Sequence, residues 1–150
     1  MRTLILTLTA VLAMHAWQPA TAEVEQSREV NGHIIYFNVL PTSALPEAMA
    51  RTYGITRSDR RVLLNVAVHR TDEDTPRPVE ADIDAQAVNL SAQLRRFRMQ
   101  EIRESGDEMG EAIYYIGDIR ISEGETLNFT VTVAPRDSEI SETIEFQRTF

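Results

Sequence analysis

The feature that most constrains the fold is a series of short runs of β-branched and aromatic residues, separated by turn-forming residues. In one run Leu64, Val66 and Val68 alternate with smaller or more polar side chains, and residues two apart lie on one face of a β-strand. Seven such runs occupy residues 32–40, 61–70, 79–90, 95–104, 112–121, 126–134 and 143–150. They predict an all-β fold, an immunoglobulin-like antiparallel β-sandwich of about seven strands.

One short helix is predicted between the first two strands. Ser43 or Ala44 is placed to cap it, Pro46 lies in its first turn, Glu47 is near its positive end, and Gly54 follows its last residue. Small polar residues favour the N-cap, proline is tolerated in the first turn, and glycine commonly follows the last turn. Together these signals indicate a helix on the connection between two strands.

Residues 1–22 have the composition of a cleavable export signal. Arg2 supplies a positive start, residues 3–17 are uncharged and largely apolar, and residues 20–22 are Ala-Thr-Ala, the small-residue cleavage pattern. A transmembrane helix needs about 20 apolar residues, and this run is shorter. We therefore expect a signal peptide at 1–22 and a single β-sandwich domain at 23–150. The domain is expected in the periplasm, or secreted as the less favoured alternative, with no stable membrane insertion after cleavage.

The composition of residues 23–150 limits the partners. They contain 14 Arg, no Lys and 23 Asp or Glu, a net charge of −9, and an acidic surface repels phosphate groups. Nucleic acid is therefore not an expected partner. The chain has no cysteine, so no disulfide stabilises it outside the cytoplasm and its stability depends on hydrophobic packing.

The basic segment at residues 94–103, LRRFRMQEIR, has two interpretations. Arginines around Phe97 resemble a patch for single-stranded nucleic acid. In a strand, Phe97 and Met99 share one face, and Ile102 is out of phase by one residue, as at a β-bulge. The strand is the favoured interpretation because the protein is acidic and exported.

Two long segments resemble a known family. They are YFNVLPTSALPEAMARTYGITRSDRRVLLNVAV at residues 36–68 and EIRESGDEMGEAIYYIGDIR at residues 101–120. The matching positions are Asn38, Leu45, Pro46, Tyr53, Gly54, Ile55, Arg57, Ser58, Arg61, Leu64, Asn65, residues 101–104 and residues 113–116. The sequence is similar to the DUF4426 proteins over essentially all of residues 23–150. This resemblance implies a small exported bacterial domain and supplies no activity.

The sequence offers no catalytic constellation, so no catalytic residue is predicted. His33 and His69 are the only histidines in residues 23–150, and His69 is interpreted as solvent-facing before an acidic turn. The acidic clusters at residues 72–74 and 107–108 offer oxygens to calcium but lack the spacing of an EF-hand loop. Neither a metal site nor a cofactor is predicted.

The candidate binding site is an exposed, arginine-containing loop after the helix. Arginine binds carboxylates and phosphates through paired hydrogen bonds. One hypothesis is recognition of an anion or acidic peptide by Arg57 and Arg61. The other is a loop-fixing salt bridge to Asp59 or another acid. The candidate residues are Asn38, Tyr53, Arg57, Ser58, Arg61 and Asn65.

The leading functional prediction is a non-catalytic periplasmic module that binds another envelope protein or a peptide. Unpaired backbone groups on an edge strand offer one way to bind such a segment. The alternative is a small periplasmic hydrolase that uses carboxylate or metal chemistry. A structural role in the envelope is not separated from the first prediction by the sequence.

Overall fold

The computed structural model describes residues 26–71, 75–106 and 110–150. The predicted signal peptide and the acidic clusters at 72–74 and 107–108 lie outside the described residues. The strands are β1 (Ser27–Val30), β2 (His33–Pro41), β3 (Arg61–Arg70), β4 (Arg77–Pro78), β5 (Ala81–Asn89), β6 (Leu94–Arg96), β7 (Gln100–Gly106), β8 (Gly110–Arg120), β9 (Thr126–Pro135) and β10 (Glu142–Thr149). A 3-10 turn (Thr42–Ala44) and the six-residue helix α1 (Glu47–Thr52) connect β2 to β3.

The strands form two antiparallel sheets. Sheet A has the order β1-β2-β3-β8-β7, with β4 also paired to β3, and sheet B has the order β10-β9-β5-β6. Without the short strands β1, β4 and β6, these orders correspond to strands ABED and GFC of an immunoglobulin constant-type domain. The predicted all-β, immunoglobulin-like sandwich is therefore confirmed, with ten strands instead of about seven in the described part of the chain.

The expectation of one bulged strand at residues 95–104 is wrong. The chain leaves sheet B after β6 and enters sheet A at β7. Phe97 and Met99 pack against the main core where the chain crosses, and the Phe97 N–H donates to the Ala85 carbonyl at 2.9 Å. Ile102 pairs with Tyr114 on the outer face of sheet A. Ile102 is therefore out of phase with Phe97 and Met99 because the chain changes sheet between them, and not because of a bulge.

The predicted helix is present but begins later than expected. Ser43 and Ala44 belong to the 3-10 turn, and Pro46 is the N-cap of α1 rather than a first-turn residue. Leu45 is extended, with ψ at 141°, because the residue before a proline is disfavoured in the α conformation. Gly54 follows the helix with φ at +66°, a value that glycine adopts without strain.

The main core lies between the two sheets and is formed by alternate residues of the long strands. In β9, Leu127, Phe129, Val131 and Val133 are at most 1% exposed. Phe129 also stacks on Phe146 of β10, with ring centroids 4.8 Å apart. Burial of each such side chain stabilises the fold by roughly 2 kcal/mol. This core fixes the strands whose other faces form the outer surfaces.

A second, smaller core lies on the outer face of sheet A, beneath α1. Leu45 and Ala50 from the helical connection and Leu63 from β3 are buried in it. The partly buried side chains around them are Leu40, Ile55 and Ile116. Because α1 has only six residues, it covers part of this apolar face and leaves the rest accessible.

Candidate functional site

A groove of about 310 Å³ lies between α1 and the outer face of sheet A. Its lining is mainly apolar and is formed by Leu40, Leu45, Met49, Tyr53, Ile55, Leu63, Asn65, Ile102, Glu104, Tyr114 and Ile116. Ligand sites are typically concave, mainly apolar and furnished with a few polar groups. This groove has those properties and is the candidate functional site.

Strand register brings the floor of the groove together. Leu40 of β2 lies opposite Leu63 of β3, and Asn65 of β3 lies opposite Ile116 of β8. Even-numbered residues of β2 and odd-numbered residues of β3 share this outer face, because successive side chains of a strand point to opposite faces. The solvent-facing side of an antiparallel sheet is usually polar, so an apolar floor here requires a covering element or a ligand.

Asn65 is the amide residue in the lining of the groove. Its Oδ1 atom is buried and has no hydrogen-bond partner among the described residues. The residue opposite it in β2 is Asn38. An unsatisfied buried acceptor costs about 1–3 kcal/mol, and buried polar groups in native proteins are normally satisfied by protein, water or a bound molecule. Asn65 therefore places an unsatisfied acceptor beneath the surface of the groove, at a cost in stability.

Tyr53 connects the helical side of the groove to the strand side. Its hydroxyl donates a hydrogen bond to Glu104 of β7. The pKa of Tyr53 is raised above its ordinary value of 10.0, first because this bond favours the neutral phenol and second because of burial. The phenol therefore stays protonated at neutral pH, and the Glu104 carboxylate places negative charge at the groove.

A second depression adjoins the groove on the same face of sheet A. It measures about 330 Å³ and is lined by Gln26, Ser27, Tyr36, Phe37, Asn38 and Asn65. Asn65 lines both depressions, so they meet at this residue. The outer face of sheet A thus presents an apolar groove that continues into this more polar depression, which we call the shelf.

The loop after α1 is fixed by hydrogen bonds within the chain. The buried Thr42 hydroxyl donates to the Thr56 carbonyl at 2.9 Å and accepts the Ser58 N–H at 2.9 Å. Arg57 donates to the Ser43 carbonyl at 2.7 Å, and the Ser58 hydroxyl accepts the Arg60 N–H at 3.0 Å. The predicted site residues Arg57 and Ser58 are therefore engaged in holding this loop.

Arg61 forms an ion pair with Asp118 of β8. Its Nε donates to Oδ2 at 2.5 Å, and its Nη2 contacts the same oxygen. Both side chains are about one quarter exposed. The loop-fixing alternative anticipated an acid of this kind, and the acid is Asp118 rather than Asp59.

The structure separates the predicted site residues into two groups. Tyr53 and Asn65 line the groove, and Asn38 lines the adjoining depression. Arg57, Ser58 and Arg61 lie outside the lining of both. A binding role for these six residues stays a prediction.

The two histidines lie elsewhere on the sandwich. His33 is 2% exposed, and its ring nitrogens contact the Asn31 carbonyl at 3.1 Å and Asp137 at 2.9 Å. His69 packs edge-on against Tyr36, with centroids 5.3 Å apart, and burial lowers its pKa below 6.5. Neither ring lines the groove.

A network of arginines and carboxylates lies partly in another surface depression, whose lining includes Glu80, Arg103 and Arg136. Arg103 contacts Glu80 and Glu101, and Arg136 contacts Glu80 and Asp82. Hydrogen bonds from these arginines lower the pKa of all three carboxyl groups. Each of these three carboxylates is engaged by at least one of the two arginines, so none of them is an open acid or base.

In the described part of the chain, no group of three His, Cys, Asp or Glu side chains is arranged to hold a metal ion. No helix in it has the length and apolar character needed to cross a membrane.

Sequence reasoning missed the apolar lining of the groove. A signal was present in β3, where Leu63 and Leu64 are consecutive and both buried, because a strand that is apolar on both faces is covered on both. Tyr114 and Ile116 provide a similar signal in β8 beside the inward Tyr115. Only the strand pairing shows that these residues share one surface.

Comparison with known proteins agrees with this fold. A crystal structure of a DUF4426 family protein from Pseudomonas aeruginosa PAO1 is similar, with a TM-score of 0.65 and 26% sequence identity. The alignment covers 83% of this chain and 93% of that one. None of the curated proteins matches the chain. The family described as "Domain of unknown function (DUF4426)" matches residues 27–150, and the chain therefore belongs to the DUF4426 family.

Proposed function

We propose that this protein is an exported, non-catalytic module that binds an apolar segment of a protein or peptide in the groove beneath α1. The observation that carries the proposal is the mainly apolar groove of about 310 Å³ on the outer face of sheet A, a kind of face that is usually polar in an antiparallel sheet. An apolar side chain of the partner supplies contact area in this groove. The export signal predicted from the sequence at residues 1–22 supports a periplasmic setting.

The size of the groove supports a side chain or two as its occupant. Its volume of about 310 Å³ is at the lower end of the range of about 300–1,000 Å³ for small-molecule sites. The adjoining shelf with Asn38 extends the contact surface beyond the groove. A peptide segment uses both, with a bulky side chain in the groove and its backbone across the amides.

The hydrolase alternative has less support at this site. Glu104 is the carboxylate of the groove and is hydrogen-bonded to Tyr53. A carboxylate-pair mechanism requires a second carboxylate facing the first across a substrate. Among the described residues that line the groove, Glu104 is the acidic one.

Site-specific crosslinking in the periplasm tests the proposal. A photoreactive amino acid replaces Met49, which lines the groove and is 46% exposed. The matched control position is Glu145, an exposed residue of β10 in the other sheet. We expect a discrete protein or peptide adduct at position 49 that is absent at position 145 and is lost when Ile102→Arg fills the groove.

Two further results distinguish this proposal from the arginine-loop hypothesis. Arg57→Ala leaves the adduct unchanged if the groove is the binding site, since Arg57 lies outside its lining. Loss of the adduct in Arg57→Ala with retention in Ile102→Arg would move the site to the loop and refute the groove.

A further inference from the structure

We propose that the occupant of the groove is the β5–β6 hairpin tip of a second copy of this chain. The hairpin tip comprises residues 90–94. This inference rests on the proposed function, because it takes the groove to be a binding site. It goes further by naming the partner and the segment that enters.

The hairpin tip displays the most exposed large apolar side chain in the described part of the chain. Leu90 is 74% exposed and Leu94 is 49% exposed. Scattered apolar residues are common on protein surfaces. Here two leucines lie at the two ends of one short connection, between β5 and β6. Inserting such a side chain into an apolar groove yields roughly 1.5–3 kcal/mol of transfer free energy.

Hydrogen bonds hold the hairpin tip in one conformation. The Asn89 Oδ1 accepts the Ser91 and Gln93 N–H groups at 3.1 and 2.9 Å. The Asn89 Nδ2 donates to Gln93 and Glu125, each at 2.8 Å. A segment that is ordered before it binds loses less conformational entropy on binding.

Backbone strain at Ala92 also sets this turn apart. Ala92 has φ at +59°, in the left-handed region that costs a residue with a Cβ about 1 kcal/mol. Strained residues persist where the surrounding structure holds them, and they cluster at binding and switch sites. The network around Asn89 supplies that support.

The charges beside the hairpin tip and beside the groove are complementary. Arg96 is exposed and lies two residues from Leu94, on the same face of β6. The groove carries the Glu104 carboxylate. An arginine beside the entering leucines thus meets a carboxylate beside the receiving groove, which favours one orientation of docking.

The two surfaces belong to different sheets, so the contact joins unlike surfaces of the two copies. The groove lies on sheet A, whereas the hairpin tip joins two strands of sheet B. A contact between unlike surfaces leaves one free groove and one free tip on each pair, so association continues as rings or open chains. A single inserted tip buries less than about 1,200 Å², the size class of weak and transient contacts.

Sedimentation velocity on the protein purified from the periplasm tests this inference. We expect the weight-average sedimentation coefficient of the wild type to rise over a range from about 10 μM to about 1 mM. Leu90→Asp damages the tip and Ile102→Arg blocks the groove, and each is expected to weaken association at least tenfold. Asn128→Asp is the charge-matched control, because it adds one carboxylate to an exposed position of sheet B, and it leaves association unchanged.

Mixing the two variants provides the decisive measurement. The Leu90→Asp chain keeps an intact groove and the Ile102→Arg chain keeps an intact tip, so an equimolar mixture forms a one-to-one dimer that cannot grow. Circular dichroism checks folding, and Met49→Arg at the exposed rim replaces Ile102→Arg if that chain does not fold. A wild type that stays monomeric, or a mixture that stays monomeric, overturns the inference.

The crosslinking experiment separates this failure from failure of the proposed function. If position 49 crosslinks only to a different protein and Leu90→Asp does not change the adduct, the groove is a binding site but a second copy is not its occupant. If neither association nor a groove adduct is found, both proposals are refuted.

Discussion

Glu125 provides a quantitative test of how the sandwich is held together. Its side chain is 9% exposed and joins three parts of the chain near the β8–β9 turn. Its Oε1 accepts from Arg95 and Asn89, each at 2.8 Å, and its Oε2 accepts the Ser122 N–H at 2.8 Å. The side chain of Glu125→Gln has one acceptor oxygen instead of two. Its NH2 group therefore faces either the Ser122 N–H or the donors of Arg95 and Asn89, and the hydrogen bonds on that side are lost.

The magnitude follows from the pKa of this carboxyl group. The hydrogen bond from Arg95 is the largest cause that lowers it, burial opposes that change, and the bonds from Asn89 and Ser122 add to it. The result is a pKa of about 2 instead of 4.5. One pKa unit corresponds to about 1.36 kcal/mol, so the ionised side chain stabilises the folded state by up to about 3 kcal/mol. Because the folded-state pKa is depressed, this contribution is complete above pH 4.5 and disappears as the pH falls towards 2.

Urea unfolding at several pH values measures this contribution. The sole tryptophan is Trp17, in the predicted signal peptide, so far-UV circular dichroism is the suitable signal. At pH 7 we expect Glu125→Gln to unfold with a free energy about 2–3 kcal/mol below that of the wild type. Glu145→Gln, at an exposed position of β10, is the control. A difference below about 1 kcal/mol, or one that is the same at pH 7 and pH 2.5, would refute the reasoning.

Three further substitutions have defined outcomes. Asn65→Leu removes the buried acceptor, so urea unfolding should give a free energy of unfolding about 1 kcal/mol higher, and a lower value would contradict this. Ala92→Gly relieves the strain at φ +59° but adds freedom to the unfolded chain, so calorimetry should show a net gain of about 0.5 kcal/mol; a loss would show that the turn is not strained. Asp137→Asn should lower stability by about 1–3 kcal/mol. Burial alone would raise the pKa of Asp137, but hydrogen bonds from Arg70 and His33 lower it overall below 3.8. The wild-type advantage at this position should therefore be lost as the pH falls below 3.8, and a constant difference would contradict this.

The strands were predictable because their signal is local. Residues 61–70 were predicted as a strand and form β3 with the same bounds. The β1–β2 hairpin also has a local signal, which the sequence analysis missed. Asn31 and Gly32 join these strands with φ at +46° and +75°, the positive values that a two-residue type I′ turn requires. The division of residues 95–104 between the two sheets was harder to predict. It depends on where Phe97 is buried in the folded sandwich rather than on the alternation of apolar and polar residues.

The site was only partly predictable because it depends on distant pairing. Tyr53 and Asn65 were chosen as candidates and line the groove. Arg61 was chosen for its exposed position in the loop, but its partner Asp118 is 57 positions away in the sequence. A local pattern contains no information about such a partner. Ile102 contributes to the groove only because β7 pairs with β8, which the sequence alone does not specify.

The floor of the groove is more stable than its roof, the helix that covers it. The floor belongs to strands of sheet A, whereas the roof is α1, six residues long, and isolated helices of that length do not persist in water. The roof is maintained by the small core around Leu45 and by the Tyr53–Glu104 bond. Its amide protons should exchange through local opening well before those of β3 and β8. A roof that opens without unfolding the sandwich lets the same floor receive side chains larger than the closed groove accommodates.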